Sequence, residues 1–382
     1  MADQVTARQQ NEQACLALLR DSGSLSTTEL MERTQLSRPT VDAIARTLES
    51  AGVVMGTIRP ADGAGRPAKV YRFVPEQVVV GVEIGQATTR AVCANRAGAL
   101  IASHESPRTA GDEGTPAESI EQILADIEAA TLTVAGGREL AGLGLALPGI
   151  LDGQHVALSR VLPALNDADV VELLEQRLGV PVRIGNDVKL AGLGEARAGA
   201  GRDTASMVLL WLGRRVSTSV VVDGAVFQGA HGLAGEITAA AGTEWTQGST
   251  YGAWGWPHGW DGLETGRRAA AGEFEACSAL TDYLRDIARP LARLTAIIDP
   301  HRVVISGVLS ETSAPIATML RSQIADRLTV PFVPEMVTAR HGRFSSALGG
   351  VVTAFDDPRI STVDRWLLPV PYPALSIPPP PS

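Results

Sequence analysis

Cysteine is nearly absent: Cys15, Cys93 and Cys277 are all there is in 382 residues. Scattered and odd in number, they supply neither a disulfide framework nor a zinc-ligand spacing, and a reducing, cytoplasmic setting is expected. No apolar run approaches a membrane span, and the N-terminal MADQVTARQQNEQ lacks a signal-peptide core, so no membrane partner is expected. Positive charge is scarce too. Residues 1–75 hold nine Arg/Lys against eight Asp/Glu, and the remainder 24 against 34, so the net charge of −9 arises wholly beyond residue 75. Any contact with nucleic acid must therefore rest on local placement of cations rather than on bulk charge. An apolar fraction of 45% allows a large core, and the length allows two or three compact units.

What is present begins with SRPTVDAIARTL, Ser37 to Leu48. Val41, Ile44, Ala45 and Leu48 fall at the i, i+3, i+4, i+7 spacing of one buried helical face. Ser37 is a good N-cap, and Pro39 lies in the first turn, where a missing N–H is tolerated. Arg38, Thr40, Asp42 and Arg46 are left on the opposite face. Ser26-Thr27-Thr28-Glu29 reads as a capping box opening a shorter helix, TTELMERT, with Gln35-Leu36 as the turn between the two. An earlier helix, Asn11 to Arg20, is expected to pack through Ala14, Leu18 and neighbouring leucines. A plain helical hairpin would satisfy this much. Two short strands follow, however, Val53–Met55 and Val70–Phe73, around the loop ADGAGRPAK, and a hairpin after a recognition helix is a wing. The pattern predicts a winged helix-turn-helix with double-stranded operator DNA as its partner. The expected contacts are Ser37, Arg38, Thr40, Arg46, Arg66 and Lys69; a guanidinium at a wing tip suits a narrow minor groove.

Past a brief linker at 74–77 the pattern turns α/β. Strands at Val78–Gly85, Thr88–Ala94 and Ala99–Ser103, joined by short turns, make an antiparallel start to a sheet. Thr115-Pro116-Ala117-Glu118 reads as a capping box for a helix buried through Ile120, Ile123, Leu124 and Ile127. A strand at Leu140–Leu147, a helix at Val170–Leu178, a strand at Val182–Ile184 and a helix at Lys189–Ala200 follow. A second lobe opens with strands Met207–Trp211 and Val216–Val222, and Asp223-Gly224 predicts a type I′ turn. A long helix, Ser278–Ile298, is expected to kink at Pro290. A strand at Val303–Ile305, a helix at Ile316–Leu328, a strand at Met336–Ala339 and a small-residue helix at Ser345–Phe355 complete the lobe. Two such lobes make the cleft between them the natural ligand site. The closing PVPYPALSIPPPPS is Pro-rich and expected to be extended or disordered.

Several strand ends carry polar residues that core packing does not explain. Singly, Asp187 reads as a helix cap, Asn166 as a turn residue, and Glu236 and Glu264 as solvated loop acids. The surrounding motifs bind them together. GVEIGQATTRAVCAN resembles the first phosphate motif of the ROK family (repressors, open reading frames and kinases). GLGLALPGILDG resembles that family's G-x-G-x-P-G segment, and GNDVKLAGLGEA its E-N-D-x-N-A-A-A-x-G-E segment. VVVDGAVFQGAHGLAGEI resembles its hairpin and sugar-contact loop, and IIDPHRVVISGVLSE its second-lobe nucleotide segment. The winged segment resembles that of ROK transcriptional regulators. The resemblance covers nearly everything from Gln10 to Phe355. It implies a two-lobed, actin-like sugar-kinase fold of the ATPase type behind the winged module. It implies a sugar or oligosaccharide effector held by Asn166, Asn186, Asp187, Glu236 and Glu264, and a homodimer or homotetramer. Carboxylates accept from vicinal hydroxyls, and amides both donate and accept. In a kinase of this kind the Asp187 position is the general base.

The chain departs from the kinase pattern in three places. The first motif, normally D-x-G-G-T, is Glu83-Ile84-Gly85-Gln86-Ala87. The second phosphate loop, normally G-T-G-x-G-G-G, is Gly213-Arg214-Arg215-Val216-Ser217-Thr218-Ser219, too poor in glycine to wrap phosphate oxygens with successive N–H groups. The family's zinc site, a His followed by C-x-C-G-x-x-G-C, has no cysteine here; His258 alone is left, and neither metal nor other cofactor is expected. In that place stands AAGTEWTQGSTYGAWGWPHGW, with Trp245, Tyr251, Trp254, Trp256 and Trp260. It forms either a wall of the sugar site, through Trp254 and Trp256, or a self-packed cluster. The expected organisation is a winged helix-turn-helix at 1–76, lobe I at 77–196 joined by the helix at 345–357, lobe II at 197–344, and a tail at 358–382. The expected function is a sugar-responsive transcriptional repressor without enzymatic activity, Asp187 surviving as a vestigial base. The alternative is an active sugar kinase with a DNA-binding appendage.

Overall fold

The computed structural model describes residues 11–360, apart from 13, 16, 17, 20, 21, 23, 51–53, 60–67, 74–76, 96, 97, 109–117, 214, 238–248, 251, 252 and 313. These form two compact units, one made of the residues up to Gln77 together with the chain from Pro358, the other running from Val78 to Asp357.

Capping starts the first unit. After a short strand, β1 (Ser24–Ser26), the Ser26 hydroxyl accepts from Glu29 N at 3.2 Å. Ser26 N donates back to the Glu29 carboxylate at 2.6 Å, so α1 (Thr27–Thr34) begins where the capping box places it. Gln35 closes it in the left-handed region, φ 59°, and α2 (Arg38–Ser50) follows. Val41, Ile44, Ala45 and Leu48 are all buried, against Leu25, Leu30, Val54 and Tyr71. Strands β2 (Val54–Arg59) and β3 (Ala68–Phe73) pair antiparallel, and β1 adds to the far side of β3. The preceding helix packs through its leucines as expected, with Cys15 in place of Ala14. Cys15 and Leu19 are buried, Ala14 is exposed and Leu18 only half-covered, because thiol and isobutyl groups remove more apolar area from water than a methyl does.

The second unit uses one topology twice. Strands β4 (Val78–Ile84), β5 (Thr88–Asn95) and β6 (Leu100–Pro107) run antiparallel. Then β7 (Leu140–Leu147) joins parallel on the other side of β4, and beyond the hairpin of β8 (Ile150–Asp152) and β9 (His155–Leu158), β10 (Val182–Asn186) joins parallel to β7. Lobe II repeats the order with β11 (Ser206–Leu212), β12 (Val216–Val222) and β13 (Ala225–Val226) antiparallel. After a two-residue pair, β14 (Ser249–Thr250) and β15 (Ala253–Trp254), β16 (Arg302–Ser306) and β17 (Glu335–Thr338) join parallel. β4, central and covered on both faces, is buried throughout, as its unbroken apolar run requires. Asp223 and Gly224 both take positive φ, 50° and 71°, as a type I′ turn demands.

Helix ends adjust the reading in four places. α3 (Ile120–Ala135) is capped by Ser119 and Gln122, not by Thr115 and Glu118: Ser119 stands directly ahead of the first apolar residue of the face. α4 (Val170–Leu178) is as expected, but α5 (Asp187–Ala198) starts earlier, since Asn186 Oδ1 accepts from Lys189 N at 2.9 Å and is the N-cap. After α6 (Gly262–Ala270), α7 (Phe274–Ile298) starts earlier than expected and carries Pro290 within it, with Ile287, Ala288 and Leu291 buried on either side of that proline. α8 (Ile316–Ala325) is shorter than expected, and α9 (Ser345–Phe355) returns the chain to lobe I.

Two devices hold α5 and α9 at the junction of the lobes. A Cβ on Gly144 would lie 1.8 Å from the carbonyl oxygen of Gly350, and one on Gly349 would lie 1.8 Å from that of Leu190; only glycine admits so close an approach. The buried carboxylate of Glu195 accepts from Ala200 N (2.8 Å), Arg340 N (3.0 Å), His341 N (2.9 Å) and Ser345 Oγ (2.6 Å). One charge thus pins the strand of chain leaving lobe I and the one returning to it.

Candidate functional site

β10 delivers Asn186 and Asp187 to the junction of the lobes, and the N-terminus of α5 begins on them. Asp187 is half-buried, and its Oδ1 accepts from Val188 N at 2.8 Å. Burial, then the neighbouring Glu83 and Glu236 carboxylates, push its carboxyl up to about 7, against the pull of the backbone N–H groups. Glu236, on the loop after β13, is itself raised by burial, with Lys189 and the Ser217 side chain opposing. Ser217 Oγ is buried with no well-formed hydrogen bond. Lys189 is buried, its ammonium shifted down by burial, and Nζ donates to Gly232 O on the Glu236 loop. Three carboxyls and a buried ammonium therefore converge between the lobes. With Asp187 near half-protonation at neutral pH, the group can both donate to and accept from hydroxyls.

Glu83 is where the first phosphate motif would carry its acid. Here the acid is already committed. Arg90, directly across the β4–β5 ladder, donates Nη1 to it at 3.1 Å, with the two side chains 11% and 7% exposed. Burial raises the Glu83 carboxyl, and Arg90 opposes. Arg90 Nε also reaches Glu105 at 3.0 Å; Arg343 Nη1 reaches Glu105 at 3.2 Å, and its Nε reaches Glu311 at 3.1 Å. The alternating chain Glu83–Arg90–Glu105–Arg343–Glu311 runs from the first motif into lobe II. Arg108 braces the same motif from its other end, donating Nη1 to Gly85 O at 2.5 Å while Nε holds Asp126 at 2.8 Å.

The other expected sugar contacts are divided. Asn166 Oδ1 accepts from Ser159 N at 2.6 Å, and its amide N–H groups make no hydrogen bond among the described residues. Asn186 caps α5 through its Oδ1 and donates one amide N–H to Gly149 O at 2.9 Å. Glu264 lies on α6, paired with Arg268 Nε at 2.6 Å on a surface that leaves the carboxylate 42% exposed; the structure does not join it to the Asp187 group. Trp254 and Trp256 pack on Tyr283 in the lobe II core, at ring-centroid distances of 5.2 and 4.7 Å. His258 bonds Glu275 at 3.0 Å and stacks on Trp260. Trp245, Tyr251 and Arg214 lie outside the described residues. Among the described residues no group of three or more His, Cys, Asp or Glu side chains is placed to hold a metal ion. No helix among them is long and apolar enough to cross a membrane.

Sequence reasoning missed Arg90, Lys189 and Arg108. Arg90 left a signal: residues 83 and 90 are equidistant from the turn at Gln86-Ala87, which makes them cross-strand partners in a hairpin. Lys189 stands where the family motif has a second asparagine, a change visible in the sequence without its consequence.

In the first unit Ser37, just ahead of α2, and Arg38 and Arg46 on it are exposed, and Thr40 is half-covered, its hydroxyl meeting that of Ser37 at 2.8 Å. Arg38 leans on Asp42 at 3.9 Å. Lys69 is not a loose cation: it pairs with Glu49 at 2.8 Å and sits 5.0 Å over the Tyr71 ring. Arg66 lies outside the described residues.

A winged helix-turn-helix ahead of a two-lobed, actin-like sugar-kinase fold, with acids gathered where the lobes meet, defines the class. The ROK family model matches residues 79–240 and 238–356, and the chain belongs to the ROK family. A MarR family model matches residues 9–63. Among relatives, a glucokinase of Halalkalibacterium halodurans is 31% identical over 41% of this chain and 48% of its own length. The dual regulator NagC of Escherichia coli K12 is 24% identical over 60% of this chain and 57% of its own. A xylose repressor of Caldicellulosiruptor bescii is 22% identical over 62% and 60%. The chain thus spans only about half to three-fifths of these relatives' lengths. Among solved structures, a ROK family transcriptional regulator described as a homologue of E. coli Mlc superposes with a TM-score of 0.60 over 94% of this chain and 96% of its own, at 17% identity. A ROK glucokinase from Streptomyces griseus gives 0.61 over 72% and 99%, at 19% identity. At these identities the superpositions establish the fold.

Proposed function

We propose that the protein is a sugar-responsive transcriptional repressor. Its winged helix-turn-helix reads operator DNA through α2, with Arg38 and Arg46 foremost. A sugar in the inter-lobe cleft, held by Asp187, Glu236, Asn166 and Ser217, lowers the population of the DNA-competent state. The observation that carries this reading is the Glu83–Arg90 pair: the acid of the first phosphate motif is engaged by an arginine, while the hydroxyl-binding groups beside it stay available. The relative named as a xylose repressor and the one named as a transcriptional dual regulator support it. The effector must bind the two states with different affinity, or it shifts nothing. A dimer or tetramer of such chains would read two half-sites.

Fluorescence anisotropy on promoter fragments neighbouring the gene, with and without a panel of mono- and oligosaccharides, tests the proposal. One fragment is expected to bind, and one sugar to release it; the Asp187→Ala variant should still bind DNA but ignore the sugar. Failure of every fragment, or indifference to every sugar, overturns the reading. A kinase is the second reading, favoured by Asp187 itself, whose carboxyl near 7 suits a general base at neutral pH. Phosphorylation of a sugar with nucleotide and magnesium, above an Asp187→Ala control, would establish it.

A further inference from the structure

A second cavity, of about 610 Å³, lies wholly within lobe II, and none of its lining residues belongs to the Asp187 group. One wall is the last three turns of α7, the other the segment that follows α8. Arg289 and Arg293, one helical turn apart, and Arg327 bring three guanidiniums to it. They do so in a chain whose residues beyond 75 carry a net charge of −10, so the concentration of cations here runs against the background. The Arg289 side chain makes no ion pair or hydrogen bond among the described residues. Arg327 is held by Nη1 on Gln323 O and Oε1, at 2.6 and 2.9 Å, which fixes its plane and leaves Nε and Nη2 open. Asp299 is the single acid of the lining, so the cavity carries two net positive charges. Thr295 also lines it; that residue is 5% exposed and its hydroxyl, buried, has no partner. A threonine within a helix ordinarily donates to a carbonyl one turn back, so an idle hydroxyl here is a group awaiting an acceptor. The mouth is apolar: Val330 and Phe332 are 52% and 75% exposed.

We propose that this cavity is a second ligand site, for a small phosphorylated metabolite. Planar guanidiniums grip phosphate oxygens in pairs, and a phosphomonoester carries close to two negative charges at neutral pH, which the lining neutralises. The volume lies in the range of small-molecule sites. Val330 and Phe332 supply apolar surface for the organic body, which separates this ligand from bare phosphate.

Calorimetric titration of the full-length protein with glucose 6-phosphate, inorganic phosphate and glucose tests the proposal. Glucose 6-phosphate is expected to bind, and phosphate more weakly. An Arg289→Ala/Arg293→Ala double variant, both sites being exposed on a helix and its fold checked by circular dichroism, should weaken both at least tenfold. Inorganic phosphate, which has no sugar ring for the cleft to hold, should compete with glucose 6-phosphate, which keeps this site separable from the cleft. Three results overturn it: no heat from either anion at millimolar concentration, equal binding by wild type and double variant, or no competition between the two anions. If the anions fail and the double variant instead lowers the mass seen by light scattering, the surface is a contact between copies, and the ligand-site reading is likewise refuted.

Discussion

Replacing Asp187 with asparagine should stabilise the protein in mild base and leave it unchanged in acid. The carboxyl sits at about 7 in the folded chain, against about 3.9 in an unfolded one. A gap of roughly three units sets a ceiling of about 4 kcal/mol on the effect. The side chain is only half-buried, and water in the cleft screens it, so about 2 kcal/mol is the expected size. Between those two pKa values the folded state keeps a proton that the unfolded state has released. Raising the pH through this window therefore destabilises the wild type, and the loss is complete once the folded pKa is passed. Asparagine does not ionise, and its oxygen still accepts from Val188 N. The variant's advantage should be near zero around pH 4, rise as the pH passes through the window, and reach about 2 kcal/mol by pH 8. Urea unfolding followed by tryptophan fluorescence reads it directly. Five of the six tryptophans lie between Trp211 and Trp260, so the signal reports the second unit. An advantage that stays flat from pH 5 to pH 8 would mean that Asp187 ionises in the ordinary carboxylate range, and the account of the cleft would fail with it.

Three further outcomes follow from the geometry. Arg90→Met removes the cation shared by Glu83 and Glu105 and should cost about 3–5 kcal/mol in urea; a second change, Glu83→Gln, should recover part of that loss, and no recovery would show that the pair is not the cause. Trp256→Ala removes a ring 4.7 Å from Tyr283 and should cost about 3 kcal/mol while sugar-induced thermal shifts persist; loss of the shifts would make the ring a ligand wall instead. Arg38→Ala should weaken binding to all DNA sequences alike and reduce the slope of log affinity against log salt by about one, measured by anisotropy; an unchanged slope removes Arg38 from the phosphate contacts.

Much of the local architecture was legible before any coordinates. The apolar face of α2, the Ser26–Glu29 capping box, the Asp223-Gly224 turn and the buried run of β4 all depend on residues a few positions apart, and periodicity or side-chain-to-backbone hydrogen bonding settles such features. The errors were local competitions decided narrowly. Ser119 displaced Thr115 as the cap of α3, and Cys15 displaced Ala14 on the buried face of the first helix. The motifs at 83–87, 185–195 and 231–236 located the site but left the state of its groups unread.

What the sequence determined by itself was therefore the order of elements, the family and the neighbourhood of the cleft. Which charges meet was decided by tertiary structure alone. Arg90 neutralises Glu83 because two strands pair in one register, and Arg343 joins Glu105 to Glu311 because the chain passes back from one lobe to the other. Glu195 finds its donors about 145 residues away. Coulomb and hydrogen-bond energies depend on distance and burial in space, and separation along the chain carries neither.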